Sequence, residues 1–353
     1  MRSPQWSRTS KIFRYLTIGT ALGVIASGVA GSVGTASAPV TVAPAGVIGD
    51  AVAGLRPLGT AFGQQSQDEA DLGDGTFLAP WQLKNGVKEF HLTASAVNWT
   101  TEPGRVKQAL AFNGHIPGPT IRVNEGDRIR IVVTNKTDQP TSVHWHGMEL
   151  PNSMDGVPGL TQPDINPGQS FTYEYTAVST GTHWYHSHMG GDQEGRGLYG
   201  ALEVVPLAGE IPAAHDYTIM TGDGALGFVF NGKSYPATTN LRAKVGERVH
   251  IRLIGTGPEM FHAIHLHSGY FTVVAQDGRP LTVPQQMDTI TLGIGQTYDL
   301  IWVPTTPGKW MIHCHVFSHS ETMSGMTGMV TIANVDPPSV QLPSLPGVTG
   351  SGG

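Results

Sequence analysis

The chain has 353 residues and a formal net charge of −6 at pH 7, and only 14% of its residues are charged. It contains no basic run or stripe, which argues against a nucleic-acid partner. Its single cysteine excludes an internal disulfide. The many glycines (46) and prolines (25) favour short strands joined by turns over long helices.

The N-terminal segment, residues 1–38, has the pattern of a secretory signal peptide. Basic residues precede an apolar run from Tyr15 to Ala30, and Ala36-Ser37-Ala38 offers a cleavage site. An uncleaved membrane anchor is the alternative, but the apolar run is short and glycine-rich for spanning a bilayer. We therefore expect a protein exported to the medium or the outer side of the cell envelope, without stable membrane insertion of its mature form.

Residues 39–80 are predicted to form a flexible leader, and residues 336–353 a disordered tail. Between them, segments such as Arg128 to Val133 and Arg248 to Leu253 alternate polar and apolar side chains, as strands do. Glycine-containing turns separate these segments, and no stretch has a long helical period. The sequence therefore predicts an all-β protein.

The strand pattern occurs twice along the chain. Phe112-Asn113-Gly114 recurs as Phe230-Asn231-Gly232, and the segment 181–188 recurs as 308–315. We expect two Greek-key β-sandwiches of common ancestry, over residues 81–208 and 209–335.

Four histidine pairs of the form His-X-His stand out. Because side chains alternate along a strand, the two imidazoles of each pair point to the same side. Imidazole nitrogen suits copper or zinc, and eight imidazoles are too many for one ion. The pattern therefore predicts two or three metal ions held between domains by four pairs: His144/His146, His186/His188, His265/His267 and His313/His315.

A second, mononuclear site is predicted around Cys314. This cysteine has the opposite strand parity to His313, and His262 has the opposite parity to His265, so both can face the inside of the second sandwich, joined by His319. Two histidines and a cysteine with a weak axial methionine form a blue-copper ligand set. The first sandwich is expected to lack this site, since the repeat places Thr141, Ser187 and Asp192 at the three ligand positions.

Taken in chain order, the four histidine clusters resemble the copper-binding signatures of the multicopper oxidases, specifically those of the two-domain bacterial small laccases. Asn113 to Thr120 is similar as well. The resemblance implies two cupredoxin-like domains assembled as a homotrimer, with copper clusters between chains. It also implies one type 1, one type 2 and two type 3 coppers per functional unit.

Carried over position by position, the family pattern assigns a ligand set to each copper. His262, Cys314, His319 and Met326 would hold the type 1 copper, and His144 and His265 the type 2 copper. One type 3 copper would be held by His146, His186 and His315, and the other by His188, His267 and His313.

The axial ligand departs from the family spacing, so Met323 is kept as the alternative to Met326, while Met329 is assigned to the core. Asp155 matches a family aspartate that helps to deliver protons to the cluster; the alternative is a turn-capping aspartate before Gly156. The remaining histidines are expected not to be ligands, and His250 is placed on the polar face of its strand.

The resemblance implies one-electron oxidation of phenolic or aromatic amine donors, with electron entry through Cys314, coupled to four-electron reduction of dioxygen to water. The main rival is a cuprous-ion oxidase in copper tolerance, because several methionines lie near the type 1 motif; core packing is the simpler interpretation of them. A two-domain copper nitrite reductase is less favoured, because it keeps its blue copper in the first domain, where Ser187 stands. A non-enzymatic electron carrier would not need eight further histidines.

Overall fold

The computed structural model describes residues 70–339, which form two β-sandwiches in succession. The predicted signal peptide, most of the leader and most of the tail lie outside the described residues. The prediction of a flexible leader up to residue 80 is wrong at its described end, because Leu78 pairs with Thr120 in a sheet of the first sandwich and Ala79 is buried in its core. The all-β expectation is confirmed. Within the described range, no helix is long and apolar enough to cross a membrane.

The first sandwich also contains a 3₁₀ helix at Asn152–Met154 and the short helix α1 at Gly190–Gly195. Its strands are Ala70–Asp71 (β1), Phe77–Leu78 (β2), Trp81–Lys84 (β3), Val87–Glu102 (β4), Arg105–Phe112 (β5), Gly118–Asn124 (β6), Arg128–Asn135 (β7), His144–His146 (β8), Ser170–Thr176 (β9), Gly181–His186 (β10) and Tyr199–Val205 (β11).

The second sandwich contains a 3₁₀ helix at Gly224–Leu226 and the short helix α2 at Phe317–Ser320. Its strands are His215–Gly222 (β12), Val229–Phe230 (β13), Leu241–Lys244 (β14), Val249–Gly255 (β15), His262–Leu266 (β16), Phe271–Gln276 (β17), Arg279–Met287 (β18), Thr289–Leu292 (β19), Thr297–Trp302 (β20), Gly308–Cys314 (β21), Glu321–Thr322 (β22), Gly325–Met326 (β23) and Val330–Asp336 (β24).

Each sandwich packs two sheets around an apolar core. In the first, the sheet β1-β2-β6-β11-β10-β8 covers the sheet β3-β4-β7-β9, to which β5 adds by pairing with β4. In the second, β13-β12-β15-β20-β17-β18 covers β14-β24-β21-β16-β19. The inward side chains of these strands are almost completely buried, and burying each large apolar side chain contributes about 1.5–3 kcal/mol.

Strand pairing places the histidine clusters side by side in each sandwich. In the first, β8 pairs with β10 so that His144 lies opposite His186. In the second, β16 pairs with β21 so that His265 lies opposite His313. The two sandwiches therefore repeat the same local arrangement of histidine-bearing strands.

An apolar cluster joins the two sandwiches. From the first sandwich it takes Trp184 and Tyr199, and from the second Met220, Val229 and Ile254, all fully buried. This contact holds the histidine strand β10 against the second sandwich.

A buried ionic network crosses the same interface. Arg252, on β15, is almost fully buried; its Nη2 donates to Glu210 Oε1 at 2.6 Å and to Asp216 Oδ2 at 2.9 Å. Arg122, on β6, pairs with Glu203 and Glu210. Because removing one partner of a buried ion pair costs about 3–5 kcal/mol, these charges tie both sandwiches and their linker together.

His250, expected on the polar face of its strand, contacts two aspartates and is buried within this network. Its Nδ1 lies 3.1 Å from Asp216 Oδ1, and its Nε2 lies 3.1 Å from Asp299 Oδ1. Burial and nearby Arg252 oppose protonation, but the hydrogen bonds to the two aspartates outweigh them and raise the pKa of His250 to about 9. The imidazolium is therefore a structural cation at neutral pH.

This pKa predicts a pH-dependent stability that His250→Gln removes. Since the folded-state value lies above the unfolded value of about 6.5, the stabilisation is complete below pH 6.5 and is lost as the pH rises through about 9. We expect the wild-type protein to lose about 3 kcal/mol more unfolding free energy than the variant between those values. Urea unfolding of copper-free protein at pH 6 and pH 9.5 measures the difference.

The matched control is His215→Gln, which alters a more exposed histidine paired with Glu247. It should keep the wild-type pH profile. Identical profiles for wild type and His250→Gln would contradict a charged His250 in the folded protein.

Candidate metal centres

The structure brings His262, Cys314 and His319 together in one buried group. His262 Nδ1 lies 3.2 Å from His319 Nδ1, and Cys314 Sγ lies 3.9 Å and 3.5 Å from these two nitrogens. Three ligand atoms at such separations fit around a single ion with bonds of about 2.0–2.3 Å. A thiolate and two imidazoles form the donor set of a blue-copper centre.

The local chemistry keeps these side chains neutral until a metal binds. Burial, together with His319, lowers the pKa of His262 to about 4, and burial lowers that of His319. Burial also raises the pKa of the Cys314 thiol. The imidazole lone pairs are therefore free at neutral pH, whereas metal binding must release the thiol proton.

Phe228 and Asp223 support this group, and sequence spacing indicated neither. The Phe228 ring stacks on His319 with centroids 3.9 Å apart. The buried carboxylate of Asp223 has its Oδ2 3.7 Å from His262 Nε2 and accepts the backbone N–H of Met260 at 2.8 Å. Both contacts join segments far apart in the sequence, so no local motif marks them.

The three methionines after His319 have very different surroundings. Met323 is 100% exposed, and Met326 is 45% exposed on β23, opposite Glu321 of β22. Met329 is fully buried in the apolar cluster that contains Cys314, and its carbonyl accepts the Cys314 N–H at 3.0 Å. Met326 as axial ligand stays a prediction, and Met329 is the buried methionine beside the group.

The histidine pairs of the first sandwich form a second group. Ligand atoms of His144, His146 and His186 lie within 4.8 Å of one another, and the His188 ring lies 5.6 Å from that of His144. Trp184 stacks on both His146 and His186, with centroids 4.8 Å and 4.2 Å apart. Burial and the neighbouring imidazoles lower the pKa of His146 to about 4, which leaves its lone pair available to a metal.

Asp155 contacts His144 through both its backbone and its side chain. The Nδ1–H of His144 can donate to the Asp155 carbonyl at 2.7 Å, and Asp155 Oδ1 lies 3.5 Å from the same nitrogen. The backbone after Asp155 can lie this close to β8 because residue 156 is glycine: a Cβ there would lie 1.8 Å from the Val143 carbonyl oxygen. The contact fixes the His144 tautomer and leaves Nε2 to face a metal.

The second sandwich contributes a matching group on the outer side of β16 and β21. Ligand atoms of His265, His267 and His313 lie within 4.8 Å of one another, and the His315 ring lies 5.3 Å from that of His265. His267 Nε2 and His313 Nε2 are only 3.2 Å apart. Burial, with the neighbouring imidazoles, lowers the pKa of His313 to about 4, as suits a pair of metal ligands.

Each three-residue group in the described part of the chain comes from a single sandwich. Among residues 70–339, the predicted ligands His188 and His315 are not part of these three groups, and neither are the five histidines expected not to be ligands. Cys314 faces the core of the second sandwich, whereas His313 and His315 face its outer side. The backbone of residues 313–315 therefore connects the buried group with the outer one.

In the first sandwich, three hydrogen-bonded side chains occupy the place of the cysteine site. The Thr141 and Ser187 hydroxyls donate to Gln193 Oε1 at 2.7 Å and 2.6 Å. Gln193 fills the third position rather than Asp192, which is exposed and faces Arg196. The internal repeat predicts Asp192 at this position, but the residue found there is the next one, Gln193, because helix α1 turns its side chain inward. The triad offers no thiolate or imidazole, so this sandwich lacks the donors of a mononuclear copper site.

Comparison with known proteins places this geometry in a family. A family model described as multicopper oxidase matches residues 93–208, and a second with the same description matches residues 211–336. Laccase-2 of Botryotinia fuckeliana is 33% identical over 298 residues, covering 70% of this chain and 50% of that protein. Copper resistance protein A of Escherichia coli is 42% identical over 139 residues, covering 38% of this chain and 22% of that protein.

Among solved structures, a blue copper oxidase from Nitrosomonas europaea is 36% identical with a TM-score of 0.65. That match covers 70% of this chain and 85% of the other. The chain thus spans about half the length of the fungal laccase and about a fifth of the E. coli protein. Of these three, only the Nitrosomonas protein is matched over most of both chains.

The axial position can be tested by three Met→Leu substitutions in copper-loaded protein. We expect Met326→Leu to raise the reduction potential and shift the blue absorption band, since the axial ligand tunes such centres. Met323→Leu, at a fully exposed residue, is the control and should leave both unchanged. A shift with Met329→Leu and none with Met326→Leu would move the axial assignment to Met329.

Proposed function

The chain belongs to the multicopper oxidase family, and on that premise we propose that it is an exported, laccase-like oxidase of phenols or aromatic amines. The observation that carries the proposal is the buried His262–Cys314–His319 group, connected through one strand to outward-facing histidines. When bound, copper would supply one-electron oxidation of the donor and four-electron reduction of dioxygen to water.

The ligand sets follow the family pattern on the groups described above. His262, Cys314 and His319, with Met326 as axial ligand, would hold the type 1 copper. His144 and His265 would hold the type 2 copper. Of the two type 3 coppers, one would be held by His146, His186 and His315, and the other by His188, His267 and His313.

The protein's own residues would separate electron entry from dioxygen chemistry. Cys314 lies inside the second sandwich, and its two neighbours in sequence face the opposite side, so only a few covalent bonds would separate the residues that hold the two copper centres. The partly exposed Asp155 carboxylate lies 3.5 Å from His144 Nδ1, where it would exchange protons between solvent and the cluster. Trp184, stacked on His146 and His186, would hold their rings in place and exclude water from one side.

A small aromatic donor suits the surface next to the buried group. Phe261 directly precedes the ligand His262, and Phe317 lies between the ligands Cys314 and His319; both are more than half exposed. Exposed aromatic side chains beside these ligands would stack on a phenol ring.

Oxygen uptake by copper-loaded protein with a phenolic donor tests the proposed reaction. Cys314→Ser should abolish both the blue colour and oxygen uptake, because it removes the thiolate. His188→Ala should keep the colour and lose oxygen uptake, because it alters only the proposed cluster. Turnover of nitrite without oxygen uptake would overturn the oxidase assignment in favour of a copper nitrite reductase.

A cuprous-ion oxidase is the second candidate, favoured by the exposure of methionines near the buried group. Met260 is 41% exposed, Met323 is 100% exposed and Met326 is 45% exposed, so core packing does not account for them. Thioethers bind Cu(I). The double variant Met260→Leu/Met323→Leu separates the candidates: a tenfold or greater loss of Cu(I) oxidation with unchanged phenol oxidation would favour a cuprous-ion oxidase.

We propose a homotrimer with its clusters between chains. The proposed type 2 and type 3 sets combine histidines from both sandwiches, whereas each three-residue group in the described residues comes from one sandwich. Pairing the first sandwich of one chain with the second of the next completes each cluster, and such head-to-tail contacts close into rings. Light scattering on copper-loaded protein should give three times the chain mass; an active monomer would contradict this assembly.

A further inference from the structure

Glu194 lies in helix α1 of the first sandwich, and its acidic side chain is buried. Its two carboxylate oxygens reach in different directions. Oε2 lies 3.1 Å from Nδ1 of His186, and Oε1 accepts the backbone N–H of Gly257 in the second sandwich at 3.1 Å. One side chain therefore contacts a proposed cluster ligand and the neighbouring domain.

The first contact determines which nitrogen of His186 faces a metal. Nδ1 lies 3.1 Å from the Ser187 carbonyl oxygen as well as from Glu194 Oε2. Two acceptors at Nδ1 place the proton there and leave the Nε2 lone pair free. Nε2 is buried with no hydrogen-bond partner among residues 70–339, as expected of an atom that a metal would satisfy.

The second contact reaches the loop that leads to the mononuclear group. Gly257 has a φ of +106°, and a Cβ there would lie 2.6 Å from Asp223 Oδ1, so glycine is required beside that carboxylate. Asp223 in turn accepts the Met260 N–H at 2.8 Å and lies 3.7 Å from His262 Nε2. Glu194 thus holds the start of a short segment that ends at His262.

The packing around Glu194 makes this contact well defined. Helix α1 lies against Pro258: a Cβ added at Gly191 or Gly195 would be only 3.1 Å or 3.3 Å from the proline ring. The helix therefore has little room to move relative to the 257–262 segment. A carboxylate fixed at this interface can orient a ring better than one on a free loop.

We propose that Glu194 is a positioning residue that fixes the tautomer and orientation of His186 and anchors it to the segment carrying His262. The inference rests on the copper cluster of the proposed function. It adds a residue that is not itself a proposed copper ligand. Within one chain, Glu194 would support both His186 of the first sandwich and the segment that carries His262 of the second.

Glu194→Gln is the decisive variant, because it keeps the shape and removes one acceptor. An amide has a single oxygen, so either His186 Nδ1 or the Gly257 N–H must face an NH₂ group. Asp192→Asn is the matched control, since it replaces an exposed acid in the same helix whose side chain pairs with Arg196. Thermal unfolding of copper-free protein verifies that both variants fold.

The first measurement needs no copper. In copper-free protein with ¹⁵N-labelled histidine, NMR should find His186 protonated on Nδ1 in the wild type and in Asp192→Asn. Glu194→Gln should show a tautomer mixture. A wild-type His186 protonated on Nε2 would overturn the proposal even if the variant did not fold, and so would an unchanged tautomer in folded Glu194→Gln.

The second measurement is copper binding. We expect Glu194→Gln to bind the cluster copper about 10–100-fold more weakly while the blue colour is kept, which is the usual effect of losing a carboxylate behind a ligand histidine. Unchanged cluster copper affinity in the variant would overturn the positioning role and leave the oxidase proposal standing. A wild-type protein that binds no cluster copper would overturn the oxidase proposal, while NMR would still decide on the Glu194–His186 contact.

Discussion

Alternation of side chains along strand β21 is the constraint on which both metal centres depend. Cys314 points into the core of the second sandwich because Ile312 does, and His313 and His315 must then point outward. Pairing with β16 applies the same rule to His262 and His265. One sheet thus presents a buried sulfur-containing group on one face and an imidazole group on the other, separated only by the thickness of a backbone.

The parts of the molecule governed by this local rule could be predicted from the sequence. Strand alternation and the internal repeat were enough to predict the all-β fold and to bring His262, Cys314 and His319 into one group. The short contacts within His144–His146–His186 and within His265–His267–His313 follow from the same rule. Two copies of the pattern make each other easier to recognise, because a ligand lost in one copy, such as Ser187 for Cys314, stands out against the other.

The rest depends on long-range contacts and on helical segments, where a period of two does not apply. Helix α1 turns Gln193 inward, so the repeat offset misplaced the third member of the first sandwich's polar triad by one residue. Glu194 and Asp223 act across sequence gaps that no motif spans. Alternation placed His250 on the polar face of its strand, but it could not show that this face is covered: every residue of β15 is buried, and His250 contacts Asp216 and Asp299.

The ionic network between the sandwiches limits how the sequence of this internally repeated chain can change. Arg252 of the second copy bonds to Thr182 of the first and to Glu210 of the linker, and Arg122 of the first copy shares Glu210 with it. If either sandwich were exchanged, transferred into another protein or produced alone, buried charges that the other sandwich neutralises would be left unpaired. A substitution at one of these charges in one sandwich is therefore constrained by the sequence of the other.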